Sequence, residues 1–80
     1  MPVAFDKRTL DIRDCLSPLS VLKVLSVLRD MKHGQILEVW SNDVEAKVTL
    51  EQIIENSKNE LLEIEKQGEY DKICIKRCIP

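Results

Sequence analysis

Eighty residues, 44% of them hydrophobic and 32% charged, with two glycines and three prolines, describe one ordinary globular domain spanning 1–80. A chain of this length buries only roughly 60% of the surface that its unfolded form exposes. A formal charge of −2 excludes a nucleic-acid partner held by a broadly basic surface, and no window approaches the ~20 apolar residues of a membrane helix. Residues 1–8 lack the apolar core of a signal peptide, so a cytoplasmic location is expected.

The charge is uneven: residues 1–33 carry a net +2 and residues 34–80 a net −4, which together give the chain's −2. This reads either as a solvated surface or as a weakly basic end around Lys7, Arg8, Arg13 and Lys23 that meets an acidic partner.

In chain order, residues 9–13 alternate, with Leu10 and Ile12 on one face and Asp11 and Arg13 on the other, the pattern of a half-buried strand. Lys7 and Arg8 before it read as a solvated tail. Ser17 and Pro18 then predict a helix start, with Ser17 as N-cap and Pro18 at the first helical position. Val21, Val24, Leu25, Leu28 and Met31 follow the spacing of a buried helical stripe. Gly34 ends that helix where a positive φ is wanted, with Lys32 and His33 in its last turn; His33 reads as a contact at the helix end rather than a ligand.

A second strand follows at 36–41, with Leu37 and Val39 on one face and Glu38 and Trp40 on the other. Trp40 fills space there or anchors a partner. Thr49-Leu50-Glu51-Gln52 has the form of a capping box, starting a helix with the stripe Leu50, Ile53, Ile54 and Ser57; residues 43–48 are a turn or an earlier start of it. Residues 60–66 and 70–77 read as two strands around a turn at Gln67-Gly68. Leu62 and Ile64 alternate with Glu63 and Glu65, and Ile73 and Ile75 with Lys72, Cys74 and Lys76. Glu63 and Glu65 read as solvated charge.

The order is βαβαββ, with one apolar face on each strand and only two helices. That predicts an α/β (α+β) two-layer sandwich, a four-stranded mixed sheet with both helices on one face and the other left to water. The first two strands should be parallel, joined by a right-handed crossover. The last two should be antiparallel, with Glu63 and Glu65 across from Lys72 and Lys76. Leu10, Leu25, Leu37, Val39, Ile53, Leu62 and Ile73 are the expected core.

The three cysteines, Cys15, Cys74 and Cys78, read as reduced thiols. Four apart in a strand, Cys74 and Cys78 would lie about 13 Å from each other, beyond the roughly 7 Å reach of a disulfide. With His33 they are too scattered for a metal site, and no cofactor is expected.

One place is chemically special. The loop at Asp14, Cys15, Leu16, Ser17 and Pro18 joins the carboxyl end of a strand to a helix N-terminus, where free N–H groups and the positive end of the helix dipole gather. A thiol there is expected to have a lowered pKa, with Asp14 opposing the shift.

Residues 10–22 resemble the TusA/SirA family of small sulfurtransferases, whose pattern runs approximately L-D-x-R-G-L-x-C-P-x-P-V-L against L-D-I-R-D-C-L-S-P-L-S-V-L here. The likeness continues through Gly34-Gln35-Ile36-Leu37-Glu38-Val39, Asp43 and Ala46, Glu60-Leu61-Leu62 and Tyr70. The resemblance implies the same βαβαββ sandwich. It also implies a cysteine that accepts sulfur as a persulfide and passes it to a protein acceptor, commonly toward tRNA thiolation. Ser17 stands at that cysteine's position, Asp14 at the family's Gly and Ser20 at its second Pro. A hydroxyl cannot carry sulfane sulfur. Three departures in seven residues read as natural divergence rather than a single laboratory substitution.

The resemblance therefore implies a sulfur-relay protein acting by contact with a protein donor or acceptor. Ser17 holds the nucleophile's place, Cys15 is the possible relocated thiol or a small buried hydrophobe, Arg13 supplies positive charge and Pro18 fixes the helix start. Two alternatives stand beside it: a non-catalytic interaction or regulatory domain that kept the fold, and an unrelated open-faced module binding through Trp40.

Overall fold

The computed structural model describes residues 7–79. Most of the N-terminal stretch read above, residues 1–6, and Pro80 of the 1–80 domain lie outside the described residues. The elements are β1 (Lys7–Asp11), α1 (Leu19–Asp30), β2 (Ile36–Ser41), α2 (Val44–Glu55), β3 (Glu60–Gln67) and β4 (Tyr70–Lys76). No helix among the described residues is long and apolar enough to cross a membrane.

The strands form one mixed sheet in the order β1-β2-β4-β3. β1 runs parallel to β2, whereas β2 and β3 each pair antiparallel with β4. Parallel pairing follows because the α1 crossover carries the chain from the carboxyl end of β1 back to the opposite edge of the sheet, where β1 began. In the centre Leu37 opposes Ile75 and Val39 opposes Ile73, and all four side chains are fully buried. On them pack Val21, Val24 and Leu28 of α1, Ala46, Leu50 and Ile54 of α2, and Met31, in a single cluster. Leu10, Leu25, Ile53, Leu61 and Ile64 are half-buried around it. Both helices thus cover the same face.

The opposite face carries Lys7, Glu38, Trp40, Glu63, Glu65 and Lys72, because side chains alternate along each strand. Lys7 belongs to β1 rather than to a solvated tail: its Nζ sits 2.7 Å from Glu38 Oε1. The indole N–H of Trp40 donates to Glu38 Oε2 at 2.6 Å. Lys72 reaches both Glu65 (3.1 Å) and Glu63 (3.7 Å), while Lys76 opposes Glu60.

Several local expectations are corrected. Leu62 is exposed, because a bulge in β3 sets Leu61 opposite Ile75 and Glu63 opposite Cys74, leaving Leu62 as the extra residue. Helix α1 is capped by Pro18, without a side-chain cap bond. The amide of Ser20 that a Ser17 hydroxyl would cap is taken by the Leu16 carbonyl at 3.1 Å, and the Pro18 carbonyl accepts from Leu22. Helix α1 ends at Asp30, so Lys32, His33 and Gly34 lie beyond it. Gly34 does take a positive φ of +90°, but in the turn into β2, where its N–H donates to the Arg77 carbonyl at 2.7 Å. His33 does not touch the helix end as a cap; its Nδ1 accepts from the Ile79 amide at 2.9 Å.

The capping box at Thr49 is not used either. Helix α2 starts at Val44 with Asp43 as N-cap, and Ser57 lies past its end, bonding its hydroxyl to the Ile54 carbonyl. The hairpin turn falls at Gly68 and Glu69, with Gly68 at φ +68°, a backbone region that glycine adopts without steric cost.

Two outcomes are expected. The Ser20 hydroxyl is fully buried without a hydrogen-bond partner, so Ser20→Ala should raise the unfolding free energy by about 1 kcal/mol, read as a higher urea midpoint. The Lys7 ammonium, then the Trp40 N–H, hold the Glu38 carboxyl below its ordinary 4.5. The folded state therefore binds that proton more weakly than the unfolded one. The stability this contributes is present above about pH 4.5 and is lost as pH falls through the lowered value. Glu38→Gln should flatten the acid limb of a melting-temperature profile taken against pH.

Candidate functional site

The parallel pairing of β1 and β2 brings their carboxyl ends to one edge of the sheet, where open α/β folds place their sites. From Asp11 the chain turns sharply. The Ile12 N–H still bonds to the Trp40 carbonyl at 2.9 Å, and the Cys15 N–H closes a turn on the Ile12 carbonyl at 3.0 Å. Ser17 follows, then Pro18 through a cis peptide bond.

The turn is fastened to α2 by one side chain. Asp43 Oδ2 accepts the Ser17 N–H at 3.0 Å, and its Oδ1 accepts the Glu45 N–H at 3.1 Å. One carboxylate thus caps α2 and anchors the loop that precedes α1. This residue was visible in the sequence only as part of the family likeness, because Thr49 offered a fuller local capping pattern. The buried Ser41 hydroxyl steadies the bend, accepting the Asp43 N–H at 3.3 Å.

The predicted site residues do not all converge. Ser17 is half-buried in the turn, and its N–H, rather than its hydroxyl, does the anchoring. Cys15 is also half-buried and packs against the core cluster, lining a shallow recess of about 220 Å³ with Asp11, Ile12, Asp14 and Lys23. Two amides at this helix start, those of Ser17 and Ser20, are occupied by Asp43 and the Leu16 carbonyl, so fewer free donors gather there than the sequence suggests.

Arg13 turns to the helix-free face of the sheet. Its Nε and Nη2 grip the Asp11 carboxylate at 2.9 and 2.8 Å, holding that carboxyl below the usual range. Its guanidinium lies 5.2 Å from the Trp40 ring centre and 5.0 Å from that of Tyr70, and the two rings are 5.5 Å apart. Tyr70 thereby joins a stack that the sequence pattern alone did not reveal. Beside it opens a polar recess of about 410 Å³ bordered by Arg13, Asp14, Asn42, Gln67, Glu69 and Tyr70.

The other thiols lie elsewhere. Cys74 is buried in β4, opposite Glu38 and Glu63, and burial, then those two carboxylates, push its thiol up. Cys78 follows β4, its N–H held by Asn59 Oδ1 at 2.9 Å. Among the described residues no three His, Cys, Asp or Glu side chains are grouped to hold a metal ion.

Comparison with known proteins places this geometry. A family model described as sulfurtransferase TusA matches residues 8–77. A protein of Thermotoga maritima is 36% identical over 70 residues, covering 86% of this chain and 89% of its own. One of Archaeoglobus fulgidus is 24% identical over 67 residues, covering 84% and 92%. Both bear the name "Putative sulfur carrier protein". The crystal structure of a SirA-like protein from Desulfitobacterium hafniense superposes with a TM-score of 0.71 at 19% identity, over 90% of this chain and 99% of that one, and shares the fold.

Because Asp43 serves two backbone donors, Asp43→Ala should cost about 1–2 kcal/mol, measured by urea denaturation. Asp43→Asn, whose amide oxygen still accepts, should recover about half of that loss.

Proposed function

The chain belongs to the TusA sulfurtransferase family, and from that premise we propose that it acts in sulfur relay by protein–protein contact, with Ser17 in the place of the persulfide-carrying cysteine. The observation that carries this reading is the turn itself. It sits where two parallel strands end, its backbone fastened by Asp43, and it borders a shallow recess of about 220 Å³ rather than an enclosed cavity.

A serine oxygen cannot hold sulfane sulfur, so a transfer step in this chain needs the thiol of Cys15. Its thiolate would attack the outer sulfur of a donor persulfide; the new S–S bond forms on Cys15 and the donor cysteine leaves as thiolate. No external oxidant is consumed. Pro18 sets the start of α1 behind the turn. Arg13, committed to Asp11 and the two rings, braces the turn rather than supplying charge to a thiol.

The packing of Cys15 on the core, at a position where the family pattern has leucine, favours a second reading: an interaction domain that kept the frame and lost the chemistry. Incubation with a cysteine desulfurase and cysteine, followed by mass spectrometry, separates the two. Sulfur carriage predicts one added sulfur atom on Cys15, abolished by Cys15→Ala. No addition there, with uptake in Ser17→Cys, assigns the chain to the interaction reading. A folded Ser17→Cys variant that takes no sulfur would falsify the relay reading.

A further inference from the structure

The fold sorts charge between the two ends of the sheet. At the end where β1 and β2 finish, Arg13 is committed to Asp11, and Asp14, Glu45 and Glu69 gather there without an ion pair among the described residues. The opposite end, where β2 begins and β4 finishes, is basic.

Hydrogen bonds at that far end stitch three segments together. Beyond β4 the Arg77 N–H donates to the Gln35 carbonyl at 2.8 Å, and the Arg77 carbonyl accepts the Gly34 N–H at 2.7 Å. The Ile79 N–H reaches His33 Nδ1 at 2.9 Å. From the other side Asn59 Oδ1 accepts the Cys78 N–H at 2.9 Å and Arg77 Nη1 at 3.3 Å. Lys32 is thereby brought to one flank of Lys76 and Arg77, and Lys58 to the other. None of these four cations makes an ion pair among the described residues. Glu60 stands across from Lys76 in the sheet but pairs with none of them, and Asp30 and Glu55, the last residues of the helices, are exposed.

Arg77 is the least satisfied of the four. It is half-buried and continues the helix-covered side begun by Ile73 and Ile75. Its side chain makes one hydrogen bond among the described residues, to a neutral amide oxygen, and its Nε is buried without a partner. A charge withdrawn from water needs hydrogen bonds or a counter-charge, and the planar guanidinium fork matches a carboxylate. Lysines alone would be a solvated rim. The arginine in their midst marks where an acid settles.

We propose that this end of the sheet binds an acidic segment of a protein partner, one carboxylate on Arg77 and others on Lys32, Lys58 and Lys76. A nucleic acid is the lesser fit. A phosphate chain running beyond the four cations meets the acidic opposite end, and the whole chain carries −2. A short acidic run can span from Lys32 to Lys58 and stop. The surface lies away from the Ser17 turn, so it stays free while that turn is engaged, and the inference does not depend on the relay reading.

The probe is an acetylated octaglutamate peptide, titrated into the full chain at low salt and followed by backbone amide chemical shifts. Shifts should centre on residues 32–35, 58–60 and 76–79 and spare the turn at 13–18. Lys32→Glu with Lys58→Glu should weaken binding roughly tenfold or more at low salt and by less at high salt. Arg77→Lys, which keeps the charge but loses the fork, should weaken it about threefold. Lys47→Glu with Lys66→Glu, the same charge change away from this end, should alter it by less than about twofold. Thermal melts confirm that each variant is folded.

An absence of shifts, or shifts centred elsewhere, overturns the site. So does full affinity in Arg77→Lys, or equal weakening by the two lysine pairs, which would mean that net charge alone is read. Tighter binding of an oligothymidylate of matching charge to the same residues overturns the acidic segment in favour of nucleic acid.

Discussion

A chain of this length has apolar residues enough for one buried layer, and that layer is laid down where β2 meets β4. Leu37 and Val39 face Ile75 and Ile73 across the centre of the sheet, and every other element is placed by contact with this seam. Both helices must cover the same side, since there is no second apolar face to cover. The other side can then carry charge: Lys7 with Glu38, and Lys72 with Glu63 and Glu65. Burying the seam also decides where the site lies. With β1 parallel to β2, both strands deliver their chain to the same edge, and the turn at Ser17 comes within hydrogen-bond reach of Asp43.

Strand alternation was legible because it reports directly on that seam. The 36–41 strand reads the same in sequence and structure, as do the inward Ile73 and Ile75. The helix starts were not legible, because cap patterns are local and the acceptors that decide here are not. Ser17 has the right side chain for a cap, but Ser20's amide is already satisfied by Leu16 and Ser17's own amide by a residue from another element. Thr49 has a complete capping box, yet Asp43 starts α2 earlier because its carboxylate serves the helix and the loop together. Leu62 failed for a different reason: a bulge shifts the alternation by one residue, and a two-residue period cannot foresee it.

The destination of Arg13 shows how register assigns a side chain that sequence proximity assigns elsewhere. Lying two residues from Cys15, it reads as charge for a thiol. In the sheet, however, Asp11 stands beside Trp40, and the bidentate grip of Arg13 on Asp11 lays its guanidinium against Trp40 and Tyr70. A planar cation held by a carboxylate and two aromatic faces is well satisfied. The result is a brace between the turn and the helix-free face, joining the two regions that the sequence presents as separate.

The frame of the site and its chemistry are separable for a physical reason. The bond that fixes the turn runs from the backbone N–H of residue 17 to Asp43, so any residue other than proline at that position can make it. The cap of α2, through Glu45, is likewise indifferent to the side chain at 17. Exchange of a thiol for a hydroxyl at position 17 therefore leaves the bond that fixes the turn in place. The frame and the chemistry are thus written in different atoms: the frame in Asp43 and the backbone it holds, the chemistry in the side chain that this backbone carries.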